Sequence, residues 1–432
     1  MDSYIELFHE GTWHRAASLT VDDGLVQFGY EASYVFGPLQ NPPCVALSLP
    51  VELTRRTWTD QAVTPLAFLW DLVPQGRGRD HIAGLLNVPS DSSRQDLYLA
   101  QHGAFAPIGR LRLDTAVDFY NQHTAGMRPE GFTTQEMHDR SETFVDQLRM
   151  YNMLAAGTPG VQGIAPKFLL TQDEEGRWFP DVGLADEHAR QHWIVKLSRG
   201  THADDQRILR HESIYLQAAA ACGIRTIDAP EYRDDMLFLR RFDREVDAAG
   251  SVRRLHQETL AALIGYHGFA RSASLFALTE RLAQVASDPA QAVAEFLCRD
   301  VLNRALRNPD NHLRNTSVQQ NLDGTVQLTP LYDFGPMYLD RALISRTCEW
   351  RLPNGGSTDN WNEILETLAL DDDVKAHAAG VLRSFGEDVL PALPHELRFR
   401  DADADIVEIC KTAIGYQIPK LQDIDCRAAP SP

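Results

Sequence analysis

The stretch Asn308-Pro309-Asp310-Asn311-His312-Leu313-Arg314-Asn315 sets an aspartate and an asparagine five residues apart. Eighteen residues beyond Asn315 comes Asp333, inside Leu331-Tyr332-Asp333-Phe334-Gly335. Phosphoryl transfer to a hydroxyl needs residues of these types. A carboxylate must orient the attacking hydroxyl and take its proton, which makes Asp310 the candidate catalytic base. Magnesium must be held by hard oxygen ligands, and the Asn315 amide and the Asp333 carboxylate offer them. Asn-Pro-Asp-Asn alone is also a good turn sequence, and an isolated D-F-G arises by chance, so the order and spacing taken together carry the signal.

An Asp with an Asn five later, then D-F-G after a pair of short strands, follows the order of the protein kinases. Such chemistry needs a phosphate-covering loop and a lysine upstream. Gly157-Thr158-Pro159-Gly160-Val161-Gln162-Gly163 has three glycines at three-residue spacing, which lets backbone N–H groups approach phosphate. An ordinary turn between helix and strand reads equally well there. Trp193-Ile194-Val195-Lys196-Leu197 puts a lysine inside an apolar strand, where a phosphate contact or a snorkelling edge lysine are the two readings. Glu212 on the following helix either pairs with Lys196 or sits on a solvated face. Lys167, just after the glycine loop, competes with Lys196 for the phosphate role.

The elements that must position these residues follow from periodicity. Residues 4–36 read as strands joined by turns, and Val45–Leu49 as a further extended piece. Pro65–Pro74 reads as one proline-bounded helix, with further helices over Asp80–Leu86 and from Asp96 to His102-Gly103, where the glycine suggests a C-cap. Residues 120–135 are polar and linker-like. A helix is expected around 133–154, strands at Phe168–Thr171, Trp193–Leu197 and Met236–Leu239, and a helix over Ile208–Cys222 ended by Gly223. From 256 onward helices dominate, at 257–265, 272–284 and 289–307, with extended pieces near 316–319 and 326–332 and a helical tail over 359–421. The expected fold class is α+β, a two-lobed protein-kinase-like arrangement of a small mixed β lobe and a large helical lobe, preceded by an N-terminal β/α subdomain. The domains are placed at 1–120, 133–255 and 256–425.

The chain has 432 residues, 44% hydrophobic and 23% charged, which excludes wholesale disorder and a disulfide-stapled miniprotein. Its formal net charge of -19 repels nucleic acid and anionic membrane, so direct nucleic-acid binding is not expected. No apolar run reaches the roughly 18–20 residues of a membrane span. The N-terminus lacks a signal-peptide pattern, and the six cysteines include no C-x-x-C, which together predict reduced thiols in the cytoplasm.

Along most of its length the chain resembles the HipA-type serine/threonine kinases, the toxins of bacterial toxin–antitoxin pairs. Leu47-Ser48-Leu49-Pro50 and Phe68-Leu69-Trp70-Asp71-Leu72-Val73-Pro74 resemble that family's N-terminal subdomain, and Val161-Gln162 with Pro166-Lys167 resembles its A-Q-x-K loop. His192–Leu197 resembles its H-I-I-K-L strand, Arg241-Phe242-Asp243-Arg244 its E-R-F-D-R stretch, and Arg254-Leu255-His256-Gln257-Glu258 its R-L-x-Q-E motif. Asp310-x-His312-x-x-Asn315 matches D-x-H-x-x-N, and Leu328–Asp333 matches L-T-P-x-Y-D. The resemblance implies Asp310 as base, Lys196 on the nucleotide phosphates, and Asn315 and Asp333 on magnesium. It puts Gln257, His312, Gly160, Gln162 and Lys167 around the ATP.

The chain departs from the family in three residues, Gly163-Ile164-Ala165, inserted between Gln162 and Pro166. It also carries Gly157 where the family often has an autophosphorylated serine, leaving Thr158 as the nearest hydroxyl, and Arg314 in place of lysine. The resemblance implies an ATP- and magnesium-dependent toxin that phosphorylates a translation factor such as an aminoacyl-tRNA synthetase. The alternatives are a non-catalytic nucleotide-binding partner of a DNA-binding antitoxin and a small-molecule kinase. The first strand begins at once, which points to a separate DNA-binding antitoxin rather than a built-in helix-turn-helix.

Overall fold

The computed structural model describes residues 2–22, 24–59, 63–126, 129–139, 144, 167–200, 202–269 and 271–425. The chain divides into two compact units, one of residues 1–199 and 238–269, the other of 200–237 and 270–432.

The first unit opens with antiparallel strands β1 (Asp2–His9), β2 (Thr12–Asp22) and β3 (Leu25–Tyr30), followed by β4 (Arg56–Trp58). With β5 (Leu111–Leu113) they form a sheet ordered β4-β3-β2-β1-β5. The alternation read from residues 4–36 is what buries Ile5, Leu7, Leu19 and Phe28. Helices α1 (Gly76–Leu86), α2 (Asp96–Gly103) and α3 (Asp114–Thr124) accompany this sheet. Helix α3 runs into the stretch read as linker. Between Pro65 and Pro74 the backbone forms a tight 3₁₀ helix, Ala67–Leu72, rather than an α-helix.

Val45–Leu49 is a turn, not a strand. Its backbone groups bond side chains instead of a ladder. The Tyr30 hydroxyl donates to the Leu49 carbonyl (2.9 Å) and accepts the Val45 N–H (3.0 Å). Gly103 is a packing glycine rather than a cap, because a Cβ there would lie 2.4 Å from Pro74 Cγ.

A second sheet places β6 (Lys167–Gln172) between β7 (Trp178–Pro180) and β8 (Gln191–Leu197), with β9 (Met236–Arg240) beyond β8. The region read as helix from 257 begins as strand β10 (His256–Thr259), and only Leu260–Leu263 turns helical. The switch comes at Thr259, whose hydroxyl accepts the Ala262 N–H and donates to Asp71 Oδ1 at 2.7 Å.

The second unit is mainly helical. It holds α4 (Ala203–Ala221), α5 (Leu275–Val285) and α6 (Pro289–Ala305). Strands β11 (Ser317–Gln320) and β12 (Val326–Leu328) form a hairpin, and α7 (Trp361–Thr367), α8 (Asp372–Ser384), α9 (Leu393–Phe399) and α10 (Ala404–Gln422) follow. Helix α4 ends with Gly223 at φ +80°, a left-handed C-terminal glycine. Helix α6 starts with Pro289 at its first turn and Asp288 capping the Gln291 N–H, and it packs against α5, α8 and α10. No described helix is long and apolar enough to cross a membrane.

Asp403, next to the start of α10, joins α4 through Arg207 (2.8 Å) and Arg210. His211 completes this junction. Its Nδ1–H donates to the Arg207 carbonyl (2.8 Å) while Nε2 accepts the Asp403 N–H (3.0 Å), so the ring is held neutral. Burial lowers its pKa from the ordinary 6.5 by more than the Arg207 carbonyl and Asp403 raise it. As pH drops below about 6.5 the unfolded chain binds a proton that the folded ring refuses, so stability is lost on acidification. Melting temperatures between pH 7.5 and 5.5 are expected to fall, and to fall less steeply in His211→Asn.

Candidate functional site

Helix α6 builds the site of the second unit from behind. It is buried nearly all round, including its charged residues Glu295, Arg299 and Asp300. Buried charges persist only when paired, and each of these pairs with a segment that frames the site. Arg299 bonds Glu295 and donates to the Thr329 carbonyl (2.6 Å), and Arg225 donates to the Leu328 carbonyl (2.6 Å). Arg225 and Ile227 then bracket Leu331 through their main chains at 2.7 and 3.3 Å, so the run into Asp333 is held on both sides. Asp300 bonds Arg304 (2.9 Å), Arg346 and the Trp350 indole N–H (3.0 Å), which fixes the segment after Asp333. Burial would raise the Asp300 carboxyl, but Arg346 and Arg304 hold it well below the usual carboxylate range.

At the end of α6 Arg307 takes a left-handed φ of +57°, and the Asn308 N–H reaches back to Asn303 O at 2.8 Å. This turn starts the Asp310 loop. The Asp310 N–H donates to Asn308 Oδ1 at 3.2 Å. The Asn315 side-chain N–H donates to the Asp310 carbonyl at 2.9 Å, closing the six-residue loop 310–315. With its nitrogen so engaged, the Asn315 oxygen is the end left to face a cation. His312 Nδ1 accepts the Arg314 N–H at 3.2 Å, which puts the ring proton on Nε2, 3.7 Å from Asp310 Oδ1.

Asp333 is attached to this loop through its neighbour. The Tyr332 hydroxyl donates to the Arg314 carbonyl (2.9 Å) and accepts from Ser317 Oγ (2.7 Å). Asp333 itself has φ +48°, a conformation few side chains adopt and one that concentrates at functional sites. Phe334 is buried against Tyr215, ring centroids 5.6 Å apart. The second unit therefore brings Asp310, His312 and Asn315 into one loop and ties the approach to Asp333 onto it. Asp333 and Asn315 suit magnesium, which takes few protein oxygens and keeps the rest for water and phosphate. No cluster of three or more His, Cys, Asp or Glu able to cage a metal is found among the described residues.

In the first unit Lys167 on β6 and Lys196 on β8 are directly opposite partners in the antiparallel pair, and both are buried. Cross-strand partners project on the same face, so the two competing lysines lie side by side. Like charges so placed favour an anion with more than one charge. Gln257 on β10 lies against Gly109, whose φ of +94° calls for glycine; a Cβ there would meet Gln257 N at 3.5 Å, an ordinary contact, so the backbone angle and not lack of space is the constraint. The Gly109 N–H donates to Asp243 (2.8 Å), which bonds Arg241 (2.8 Å) and Arg244 (2.6 Å). The Arg241–Arg244 motif is thus a buried scaffold. Leu47 N–H donates to Glu258 (2.9 Å) and Asp71 accepts the Thr259 N–H (2.9 Å), so both N-terminal motifs clamp the Gln257 strand. Gly160, Gln162 and Thr158 lie outside the described residues.

Asn311 was not singled out by the sequence, where it is only an intervening position of D-x-H-x-x-N. Its side chain accepts the Thr347 N–H (3.0 Å) and the Cys348 N–H (3.3 Å), and donates to the Cys348 carbonyl (2.7 Å).

The profile of the family described as the HipA-like C-terminal domain matches residues 160–389. The chain belongs to this family. Y4mE of Sinorhizobium fredii NGR234, named only provisionally as a kinase, is 31% identical over 131 residues, which span 28% of this chain and 31% of that protein. HipA of Shewanella oneidensis MR-1, solved with HipB and operator DNA, has a similar structure, with a TM-score of 0.65 at 16% identity over 97% of this chain and 96% of that one. That likeness establishes a HipA fold, the α+β kinase-like class expected. The proinflammatory kinase CtkA of Helicobacter pylori aligns over 54% of this chain and 89% of its own with a TM-score of 0.37 at 13% identity, too slight a likeness to add to the argument.

Replacing Asn311 by Ala removes three hydrogen bonds that join the Asp310 loop to residues 347–348. The variant is expected to lose about 2 kcal/mol in chemical denaturation and to be cut faster by trypsin at Arg346.

Proposed function

We propose that this chain is an ATP- and magnesium-dependent kinase of the HipA type that phosphorylates a serine or threonine of a protein. The observation that carries the reading is the hydrogen-bonded Asp310–Asn315 loop with Tyr332 anchoring the approach to Asp333 upon it. Asp310, beside the Nε2–H of His312, orients the acceptor hydroxyl and takes its proton. Lys196 and Lys167 hold nucleotide phosphates, together with backbone N–H groups around Gly160 and Gln162, and Gln257 and His312 line the nucleotide. Asn315 and Asp333 hold magnesium, which when bound supplies positive charge to offset that developing on the phosphate oxygens.

Family membership and the provisional kinase name of Y4mE support the reading. The proposal includes a role as a cytoplasmic growth-arresting toxin acting on a translation factor such as an aminoacyl-tRNA synthetase. The Shewanella HipA complex supports a DNA-binding antitoxin as partner.

Purified protein with labelled ATP, magnesium and a cell lysate is expected to label a protein on serine or threonine. Asp310→Asn should lower the rate on the order of a hundredfold or more. No transfer by the parent, or equal transfer by the variant, overturns the reading, and ATP binding without transfer would place the chain among non-catalytic nucleotide-binding partners.

A further inference from the structure

Beside the Asp310 loop the second unit holds a cavity of about 810 Å³. Four segments line it: the end of α6 through Asn308 and Pro309, the segment after Asp333 from Tyr338 to Arg346, Asp359 ahead of α7, and one face of α10. That volume takes several side chains, not one ion.

The lining is chemically divided. Arg304, Arg307 and Arg346 supply three guanidinium groups, of which Arg304 is already bonded to Asp300 at 2.9 Å. Arg346 gives one N–H to Asp300, while its Nε and Nη1 are buried and have no hydrogen-bond partner among the described residues. The buried Tyr338 hydroxyl likewise lacks one. Arg307 is exposed and has no carboxylate partner among the described residues. Asp359, the acidic group in the lining, is occupied by Lys420 and, at 3.4 Å, by Tyr416. The donors therefore outnumber the acceptors they meet, in a chain whose net charge is -19.

The rest of the wall is apolar. Leu343, Ile344, Ile409 and Ala413 line it, with Leu343 84% exposed. Arg307 and Leu343 have φ +57° and +53°, a left-handed region that is strained for a side-chain-bearing residue. At the end of α6 glycine would avoid that strain. Strain of this kind persists where the side chain it presents is used.

We infer that this cavity docks an acidic segment of the acceptor protein, a carboxylate-bearing residue beside an aliphatic one. The carboxylate meets the exposed Arg307, and the aliphatic side chain packs on Leu343 and Ile409. The apolar half of the wall suits an aliphatic side chain and disfavours a nucleic-acid backbone. The inference rests on the proposed kinase activity only in naming the segment as part of the acceptor. Pro309 lines the cavity and adjoins Asp310, so a docked segment lies next to the proposed base.

The test is fluorescence anisotropy on the full chain without ATP, using labelled twelve-residue peptides with a central Glu-Leu, Gln-Leu, Glu-Ser or Lys-Leu pair and a labelled single-stranded oligonucleotide. Glu-Leu peptides are expected to bind about tenfold tighter than the other three, and more weakly at 0.5 M salt. Arg307→Glu should lose about tenfold, and Arg307→Gln part of that, with melting temperatures showing both folded. Asp310→Asn should bind Glu-Leu like the parent, so a failure of catalysis leaves this result standing. Equal binding of Glu-Leu and Gln-Leu, no effect of Arg307→Glu, or binding of the oligonucleotide alone overturns the inference, even where phosphoryl transfer is intact.

Discussion

The arrangement around Asp310 depends on charge buried along α6. Glu295, Arg299 and Asp300 sit where a helix of this kind normally carries aliphatic side chains. Removing charge from water is costly, and the cost is recovered only by partners at good geometry. Those partners are the segments that must be placed: the carbonyls of Leu328 and Thr329 through Arg225 and Arg299, and Arg346 and Trp350 through Asp300. An apolar helix face would hold the same segments less specifically. The rigidity of the site and the polarity of the helix behind it are one property.

The first unit uses the same device. Asp243 lies between Arg241 and Arg244, and Asp181 bonds both Arg241 (2.9 Å) and His192 (3.2 Å). Burial raises the Asp243 carboxyl, yet Arg241 and Arg244 keep it ionised and well below its usual range. This network fixes the His192 end of β8, whose pairing with β6 sets Lys196 opposite Lys167. Motifs that look catalytic because they are charged, such as Arg241–Arg244, serve as supports for residues that carry less obvious signals.

Much of this was legible in the residues. Asp310 and Asn315 were read from their spacing and His312 from the family resemblance, and the strands Phe168–Thr171 and Trp193–Leu197 from their apolar runs. The HipA family and the α+β class followed from ordered motifs. Local pattern failed where distant side chains take over backbone hydrogen bonds. Val45–Leu49 has a strand's composition, but Tyr30 and Glu258 satisfy its backbone. Residues 257–265 have a helix's spacing, but Asp71 holds Thr259 at the switch from strand to turn. Asn311 gave no signal because its partners, Thr347 and Cys348, lie 36 and 37 residues away. The choice between Lys196 and Lys167 was open from sequence, since a cross-strand register is not written locally.

On the proposed function, Asn315 and Asp333 hold a magnesium ion for a bound nucleotide. Calorimetric titration of the parent and of Asp333→Asn with ATP, with and without magnesium, tests it most directly. The account predicts that magnesium tightens ATP binding to the parent about tenfold or more and has little effect on the variant, which still binds free ATP. Binding by the parent that is indifferent to magnesium, or a magnesium effect of equal size in Asp333→Asn, would contradict it.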